Sequence, residues 1–478
     1  MTREESGEEI EVARQDRRGL LSRNRIVPIV IASALFMELM DSSALALAIP
    51  TIARDLGVSP SDMRLTLTVY AATVASLVPV SSWLAARMGA RRIFIAAILV
   101  FVTGSVCSGM AGSLPALVAS RALQGVGGAM MIPVGRTIMV GVVDREALVK
   151  AMIWFVLPAI LAPLFGPPIA GLLIEFATWR WIFFINVPVA ALAIFSILRV
   201  VPRIEQEPRR AFDFVGYLLC ACAILSVLGL LDTGFLAGYG PGVRVGAILG
   251  AVLLVGAFIR HSLHATEPLI DLRVLRHATL RLSLAGTWIQ RVSMGALVLV
   301  LPLHLQLGLG LSPLAAAQVP AAGAIGSVVA RFVTPYMLRR FGFRSVMMNV
   351  SILIAIVTIC PAFFKTSTPV WLMAGFMIGY ALIRASFFMS GNSLSYADVE
   401  KGAEIGHASV LFSVAQQLSL GFGYTLGGGL LAVAGGADDL STYWLAYPVI
   451  ALLPLAAAGV IARLPQGAGE RLRHQASL

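Results

Sequence analysis

The sequence predicts an all-α polytopic membrane protein with fourteen transmembrane helices. Of 478 residues, 58% are hydrophobic and only 13% are charged, about half the charged fraction of a soluble globular domain. A hydrocarbon slab about 30 Å thick needs about twenty helical residues, and the apolar residues suffice for about fourteen such stretches. The formal charge of +11 would suggest nucleic acid in a soluble protein. Here the basic residues sit in short loops between apolar runs, a pattern of membrane topology rather than of nucleic-acid binding.

Backbone inside a bilayer must satisfy its own hydrogen bonds, so each apolar run reads as a helix. In order, the spans fall near residues 26–50, 63–84, 92–112, 114–142, 151–174, 180–200, 214–234, 243–260, 282–307, 313–337, 345–364, 369–393, 406–433 and 442–462. The first 25 residues are charged and sign-balanced, without the apolar core of a cleavable signal, and read as a cytoplasmic tail. Arg87, Arg91 and Arg92 follow span two, Arg145 and Lys150 span four, and Arg199, Arg203, Arg209 and Arg210 span six. Arg260, Arg273, Arg276 and Arg281 follow span eight, and Arg339, Arg340 and Arg344 follow span ten. The alternate loops carry mainly Arg54, Arg64, Arg180 and Lys365, so both termini are assigned to the cytoplasm.

The turn after span two, Leu84 to Arg92, echoes the turn after span ten, Met337 to Arg344: each helix runs into a basic turn containing glycine. A duplicated six-helix unit explains this, and so does the plainer rule that every cytoplasmic turn is basic. On the duplication, residues 1–25 are a cytoplasmic tail, 26–202 an N-terminal six-helix bundle, and 203–276 a linker with two extra helices. Residues 277–464 are then a C-terminal six-helix bundle and 465–478 a second cytoplasmic tail. The cysteines, Cys107, Cys220, Cys222 and Cys360, all lie within apolar runs and read as packing residues rather than a disulfide or metal set. No Walker A, HExxH or GxSxG sequence is present, and His261 and His264 lack a third metal ligand, so neither an enzyme nor an ATP-driven pump is indicated.

Several local motifs occur in a fixed order. They are MDSSALALAIP at Met40 to Pro50, SRALQGVGGA at Ser120 to Ala129, FGPPIAG at Phe165 to Gly171, WRWIFFINVP at Trp179 to Pro188, EPLIDLRVL at Glu267 to Leu275, and LPLHLQLGLGLSPLAAA at Leu301 to Ala317. Over nearly the whole chain they resemble the fourteen-span drug:proton antiporters of the major facilitator superfamily, the QacA/EmrB type. The resemblance implies the major facilitator fold, two six-helix bundles plus two extra central helices around a cavity that alternates between sides. It also implies multidrug efflux: proton-driven export of small amphipathic organic compounds across a bacterial cytoplasmic membrane, without ATP or any cofactor. The implied partners are a small-molecule substrate, protons and the lipid bilayer; some relatives also use a periplasmic adaptor, though no segment here identifies one. The basic turn after span two keeps the family's Arg87, Gly89, Arg91 and Arg92, but Ser82 and Ala86 stand where the family has Gly and Asp. That substitution puts the family's charge latch at this turn in question, and it leaves room for a transport-inactive sensor or scaffold.

Charges inside a membrane cost about 2.5–3.5 kcal/mol each at a helix centre on insertion scales, so they are seldom idle. Glu38 and Asp41 are three apart on span one and share a helix face. Asp41, which lies in the matching motif, is the leading proton-coupling acid, with Glu38 or Arg121 assisting; a carboxylate locked in a static ion pair is the alternative for each acid. Arg121 opens the segment similar to motif B, whose arginine the family ties to proton transfer. Arginine keeps its proton, so its role is to hold or release a carboxylate, or to be a static hydrogen-bond hub.

In the second half Arg291 and Arg384 fall mid-span, and Arg331 about two turns inside span ten. With Arg121 and Arg136, five arginines are expected deep in the core against two carboxylates. Arg291 and Arg384 either fork an anionic or zwitterionic substrate, which would make the chain a dedicated organic-anion or zwitterion transporter, or bind backbone carbonyls of broken helices, and Arg331 alternatively snorkels to the interface. Gln124, Gln290, His304 and Trp288 are further candidates for the substrate cavity, with plain hydrogen bonding or packing as the alternative. Gly125, Gly166, Pro167 and Gly171, together with Arg87, Gly89 and Arg91, are the conformational motif positions, serving either as hinge or as tight packing.

Overall fold

The computed structural model describes residues 3–144, 151, 154, 155, 157–202, 212–231, 240–395, 397 and 403–470. Arg145, Lys150, Arg203, Arg209 and Arg210, and the end of the second tail from 471, lie outside the described residues. Among the described residues the structure is helical and without strands, as a chain solvated by hydrocarbon must be unless it closes a barrel.

In order, the helices are α1 (Arg3–Leu56), α2 (Arg64–Met88), α3 (Ala90–Gly109), α4 (Leu114–Val142), α5 (Pro158–Phe176), α6 (Trp181–Val200) and α7 (Phe214–Leu231). They continue with α8 (Pro241–His264), α9 (Ala278–Leu303), α10 (Pro313–Phe341), α11 (Phe343–Ile359), α12 (Val370–Ser395), α13 (Ala403–Val433) and α14 (Leu440–Ile461). Eleven of the described helices are long and apolar enough to cross a membrane, two more are shorter apolar helices, and α13 is 31 residues long. The count of fourteen spans is consistent with this set.

Several boundaries differ from the sequence reading. The first helix is not confined to residues 26–50 but runs from Arg3 to Leu56, with Pro28 and Pro50 inside it. Span six is interrupted at Ile185, between helical segments Trp181–Phe184 and Asn186–Val200. Span nine ends in a π turn, His304–Gly308. At the end of α8, His261 pairs with Asp213 at 2.7 Å. Burial opposes the charge on Asp213, but donation from the backbone N–H groups of Gly216 and Leu269 and from His261 holds its carboxyl below the usual range.

Packing divides the helices into two groups. α1 packs on α5, α6 and α4, while α4 packs on α2 and α3; in the second group α10 packs on α12, α9 on α13, and α11 on α14. The groups meet along α5 against α10 and α2 against α13. α7 packs over the second of these seams, on both α2 and α13, burying Cys220, Ile224 and Leu228 against Ala72, Ala75 and Val414. α8 lies outside it, with 6% of its apolar window buried.

The two turns that echo in sequence share one geometry. Gly89 and Gly342 adopt φ of 89° and 75°, a region that costs glycine little, and each joins two helices through a single residue. Two residues further on, Arg91 donates to the Leu198 carbonyl at 2.7 Å and Arg344 to the Ala462 carbonyl at 2.7 Å. Each arginine thus meets the negative end of a helix, α6 in one half and α14 in the other.

Glycine sets how closely the helices approach. A Cβ on Gly423 would strike the Val292 carbonyl, and one on Gly427 would lie 3.0 Å from the Ala296 carbonyl, so the GxxxG spacing of α13 serves contact with α9 within the chain. At Gly326 of α10 a Cβ would overlap the Ile378 carbonyl and lie 2.8 Å from the Leu382 nitrogen, both backbone atoms of α12 that cannot rotate away. Gly326→Val is therefore expected to destabilise the purified protein by about 1–3 kcal/mol or more, read as a lower melting temperature. Gly375→Ala, at a position with nothing within 4 Å, should leave the melting temperature unchanged or raise it.

Candidate functional site

Helix periodicity places Asp41 on the face of α1 that meets α4, and Arg121 and Gln124, three apart, on the facing side of α4. Asp41, Arg121, Gln124 and Asn186 are all fully buried. Arg121 Nη1 donates to Asp41 Oδ2 at 2.5 Å and to Gln124 Oε1 at 2.7 Å. Asp41 Oδ1 accepts from Asn186 Nδ2 at 2.9 Å and Gln124 Nε2 at 3.2 Å. Behind them Ser105 accepts from Asn186 and donates to the Phe183 carbonyl, and Ser108 donates to Gln124 Oε1. The Asp41 carboxylate thus has donors from α4 and from the broken α6, and its charge ties α1 to both.

A second acid joins through an aromatic ring. Tyr70 donates its hydroxyl to Glu38 Oε1 at 3.2 Å, and the Arg121 guanidinium stacks 4.5 Å from the Tyr70 ring centroid. Glu38 Oε2 and the Nε and Nη2 atoms of Arg121 are buried with no hydrogen-bond partner. The two acids and the arginine therefore form one cluster with unused hydrogen-bonding capacity at both ends.

The opposite face of α1 walls a cavity. A space of about 270 Å³ lies between the two groups of helices, bounded by Leu39, Ser42 and Ala46 of α1, Pro167 of α5, Leu297 of α9, Tyr380 and Arg384 of α12 and Tyr424 of α13, among others. Its wall is mostly apolar. Away from the basic turns, the halves are joined by Gln306 Nε2 donating to the Leu47 carbonyl at 2.8 Å and by the Thr68 and Thr425 hydroxyls 3.3 Å apart.

Of the six residues read as substrate candidates, Arg384 alone lies among the cavity-lining residues. It donates to the Met294 sulfur at 3.1 Å. Arg291, one turn from Met294 on α9, stacks 4.7 Å from the Phe388 ring centroid, and its Nε is buried without a partner. The other four are placed elsewhere. Gln124 belongs to the Asp41 cluster; Gln290 is buried beside Ser351, whose hydroxyl donates to it at 3.4 Å; Trp288 packs edge-on against Phe422. His304 is stacked on Tyr443 at 4.3 Å and hydrogen-bonded to Tyr447 at 3.0 Å. In each case a neighbouring helix, not a cavity, supplies the partner.

Two of the five arginines expected deep in the core are exposed: Arg331, and Arg136, whose guanidinium reaches the Phe155 ring at 5.8 Å. At the conformational motif positions Gly125 lets α4 approach Thr73 and the Tyr70 carbonyl, Gly166 makes room for Ser43, and Gly171 lets α5 approach Pro313 and Leu314. Pro167 faces the cavity. Arg87 stacks over Trp83 at 5.3 Å, so in the absence of an acid at Ala86 the basic turn is held by aromatic and backbone contacts. Asn186 and Tyr70 were not singled out from sequence. The available signal for Asn186 was a lone amide inside the apolar run FFINVP.

A helical bundle in two halves, with a cavity between them and a buried charge cluster beside it, defines a membrane transporter. Residues 31–263 match the family model described as Major Facilitator Superfamily. The multidrug resistance protein MdtD of Escherichia coli O45:K1 (strain S88 / ExPEC) is 34% identical over 91% of this chain and 94% of its own length. MdtD of Salmonella paratyphi A (strain ATCC 9150 / SARB42) is likewise 34% identical over the same shares. Among solved structures, a D-xylose-proton symporter aligns over 93% of this chain and 98% of its own, with a TM-score of 0.65 and 15% identity. The chain belongs to the major facilitator superfamily, and its drug:proton antiporter family is consistent with all of these findings.

Removing one partner of a buried ion pair strands the other, at a cost of about 3–5 kcal/mol. Arg121→Gln and Asp41→Asn are each expected to lower the melting temperature of the purified protein. The double variant should recover part of that loss, the sign of coupling in a double-mutant cycle.

Proposed function

We propose that the chain is a proton-coupled antiporter that exports small amphipathic organic compounds across the bacterial cytoplasmic membrane by alternating access. It uses no ATP, no cofactor and no covalent chemistry, and both termini face the cytoplasm. The observation that carries this reading is the position of Asp41: a buried acid held by α4 and α6, on a helix whose other face walls the cavity.

One helix thereby couples two events. Substrate entering the cavity presses on α1 beside Ser42 and Ala46, while a proton on Asp41 removes the charge that binds α1 to Arg121. Substrate arriving from inside expels the proton, and protonation from outside resets the helix. Arg121 never gives up its own proton; freed from Asp41, it keeps its stacking on Tyr70, the residue that donates to Glu38, and Glu38 assists. With the halves joined at the end away from the basic turns, the present conformation is the one that awaits substrate from the cytoplasm. The multidrug resistance relatives support efflux as the direction.

In inverted vesicles, an exported substrate is expected to collapse an imposed pH gradient, and Asp41→Asn to reduce the effect to that of vesicles lacking the protein. Uphill transport by Asp41→Asn against a proton gradient would overturn the assignment. A fluorescent protein fused to the C-terminus should fluoresce, and alkaline phosphatase fused there should be inactive; the reverse pattern would overturn the orientation.

A further inference from the structure

The charge in the cavity wall has one sign. Arg384 is exposed to the cavity, and neither Asp nor Glu is among its described lining residues. Arg291 lies one turn along α9 from Met294, which Arg384 contacts, and stacks on Phe388, one turn along α12 from Arg384. Among the described residues neither arginine forms an ion pair, and neither donates to a backbone carbonyl. Arg384 has a thioether as its acceptor, which is weak, and Arg291 has the face of Phe388. Arginines bound to broken-helix carbonyls, the competing reading of such residues, are thus not what these helices hold.

Two unpaired cations beside an apolar space are costly in a membrane unless a ligand compensates them. The two acids described within the core do not do so: Asp41 is held by Arg121, Gln124 and Asn186, and Glu38, whose Oε1 accepts from Tyr70 while its Oε2 has no partner, sits in that same N-terminal cluster and does not line the cavity. What fits is an external anion with an apolar body. We propose that the cavity binds organic monoanions, the carboxylate or sulfonate forked by Arg384 with Arg291 adding its charge from behind, and the apolar body against α1 and α9. The volume of about 270 Å³ is just below the range of about 300–1,000 Å³ of drug-sized pockets, so the body is compact. A cation of equal size would meet a guanidinium with no opposing acid. The proposal rests on the efflux reading and names its substrate class.

The test is a matched-charge binding measurement on the full chain in lipid nanodiscs. 1-Naphthylacetate, 1-naphthalenesulfonate and decanoate are compared with 1-naphthylmethylammonium and decylammonium by calorimetry. The anions are expected to bind wild type and the ammonium compounds neither to bind nor to compete. Arg384→Gln should weaken anion binding about 10- to 100-fold, the loss of one charge-assisted fork, with Arg384→Lys intermediate and Arg291→Gln weaker in effect.

Equal or tighter binding of the ammonium compounds, no anion binding to wild type, or an Arg384→Gln protein of unchanged anion affinity would each overturn the proposal. The wild-type comparison stands whether or not a variant folds. Proton movement in inverted vesicles separates the two readings. Anion binding without proton movement sinks antiport and leaves the anion site. A pH gradient collapsed by ammonium compounds alone, beyond the collapse the same amines cause in vesicles lacking the protein, leaves antiport and sinks the anion site.

Discussion

A carboxylate and a guanidinium removed from water together shape this molecule more than any other contact. Neither Asp41 nor Arg121 exposes any surface, and desolvation of each is tolerable only with its partner and further hydrogen bonds in place. Those bonds dictate much of the N-terminal half. Asn186 must face inward, which the break of α6 at Ile185 accompanies; Gln124 must lie one turn from Arg121; Ser105 and Ser108 must line α3 behind them. Glycines at Gly127 and Gly125 let α3 and α2 approach α4 closely enough to enclose the group. The apolar side chains around it could be exchanged for others of similar volume, whereas the polar set could not.

The C-terminal half reuses the scaffold and discards the pair. Gly342 and Arg344 reproduce the turn built by Gly89 and Arg91, including the bond to the far end of a neighbouring helix. Among the described residues no acid forms an ion pair with Arg291 or Arg384 there. One half therefore closes its electrostatics internally and the other leaves them open to the cavity. On the functions proposed above, a transporter whose halves must move against each other gains from this division: the charge proposed to take the proton and the charge proposed to meet the substrate are not the same charge.

Helix order, helix number and the motif-bearing turns were legible because hydrocarbon imposes long apolar runs and glycine marks the turns. The pairing of Asp41 with Arg121 was nearly legible too, since both lie in motifs and ionised groups in a membrane seek each other. Rotational phase was not. Gln290, His304 and Gln124 look like cavity residues in a linear string, but which way a buried amide or imidazole points depends on whether an adjacent helix offers a partner. His304 is further displaced because the helix widens into a π turn at that residue. Arg136 was misplaced for a related reason, and the exposure of Arg331 fits the interfacial reading left open for it: hydropathy registers depth along a helix, not which side of it faces the bundle. Asn186 and Tyr70 escaped notice because one polar atom in an apolar run has the same appearance whether it packs or works.

The extra helix pair gives the molecule a left and a right. Two seams run between the halves, and α7 lies over the one formed by α2 and α13 while no comparable helix among the described residues flanks the meeting of α5 and α10. A compound dissolved in the bilayer thus finds one flank paved and the other bare. A path from the lipid to the cavity on that flank would have to part α5 from α10, beside the cavity-lining Pro163, Pro167 and Pro320.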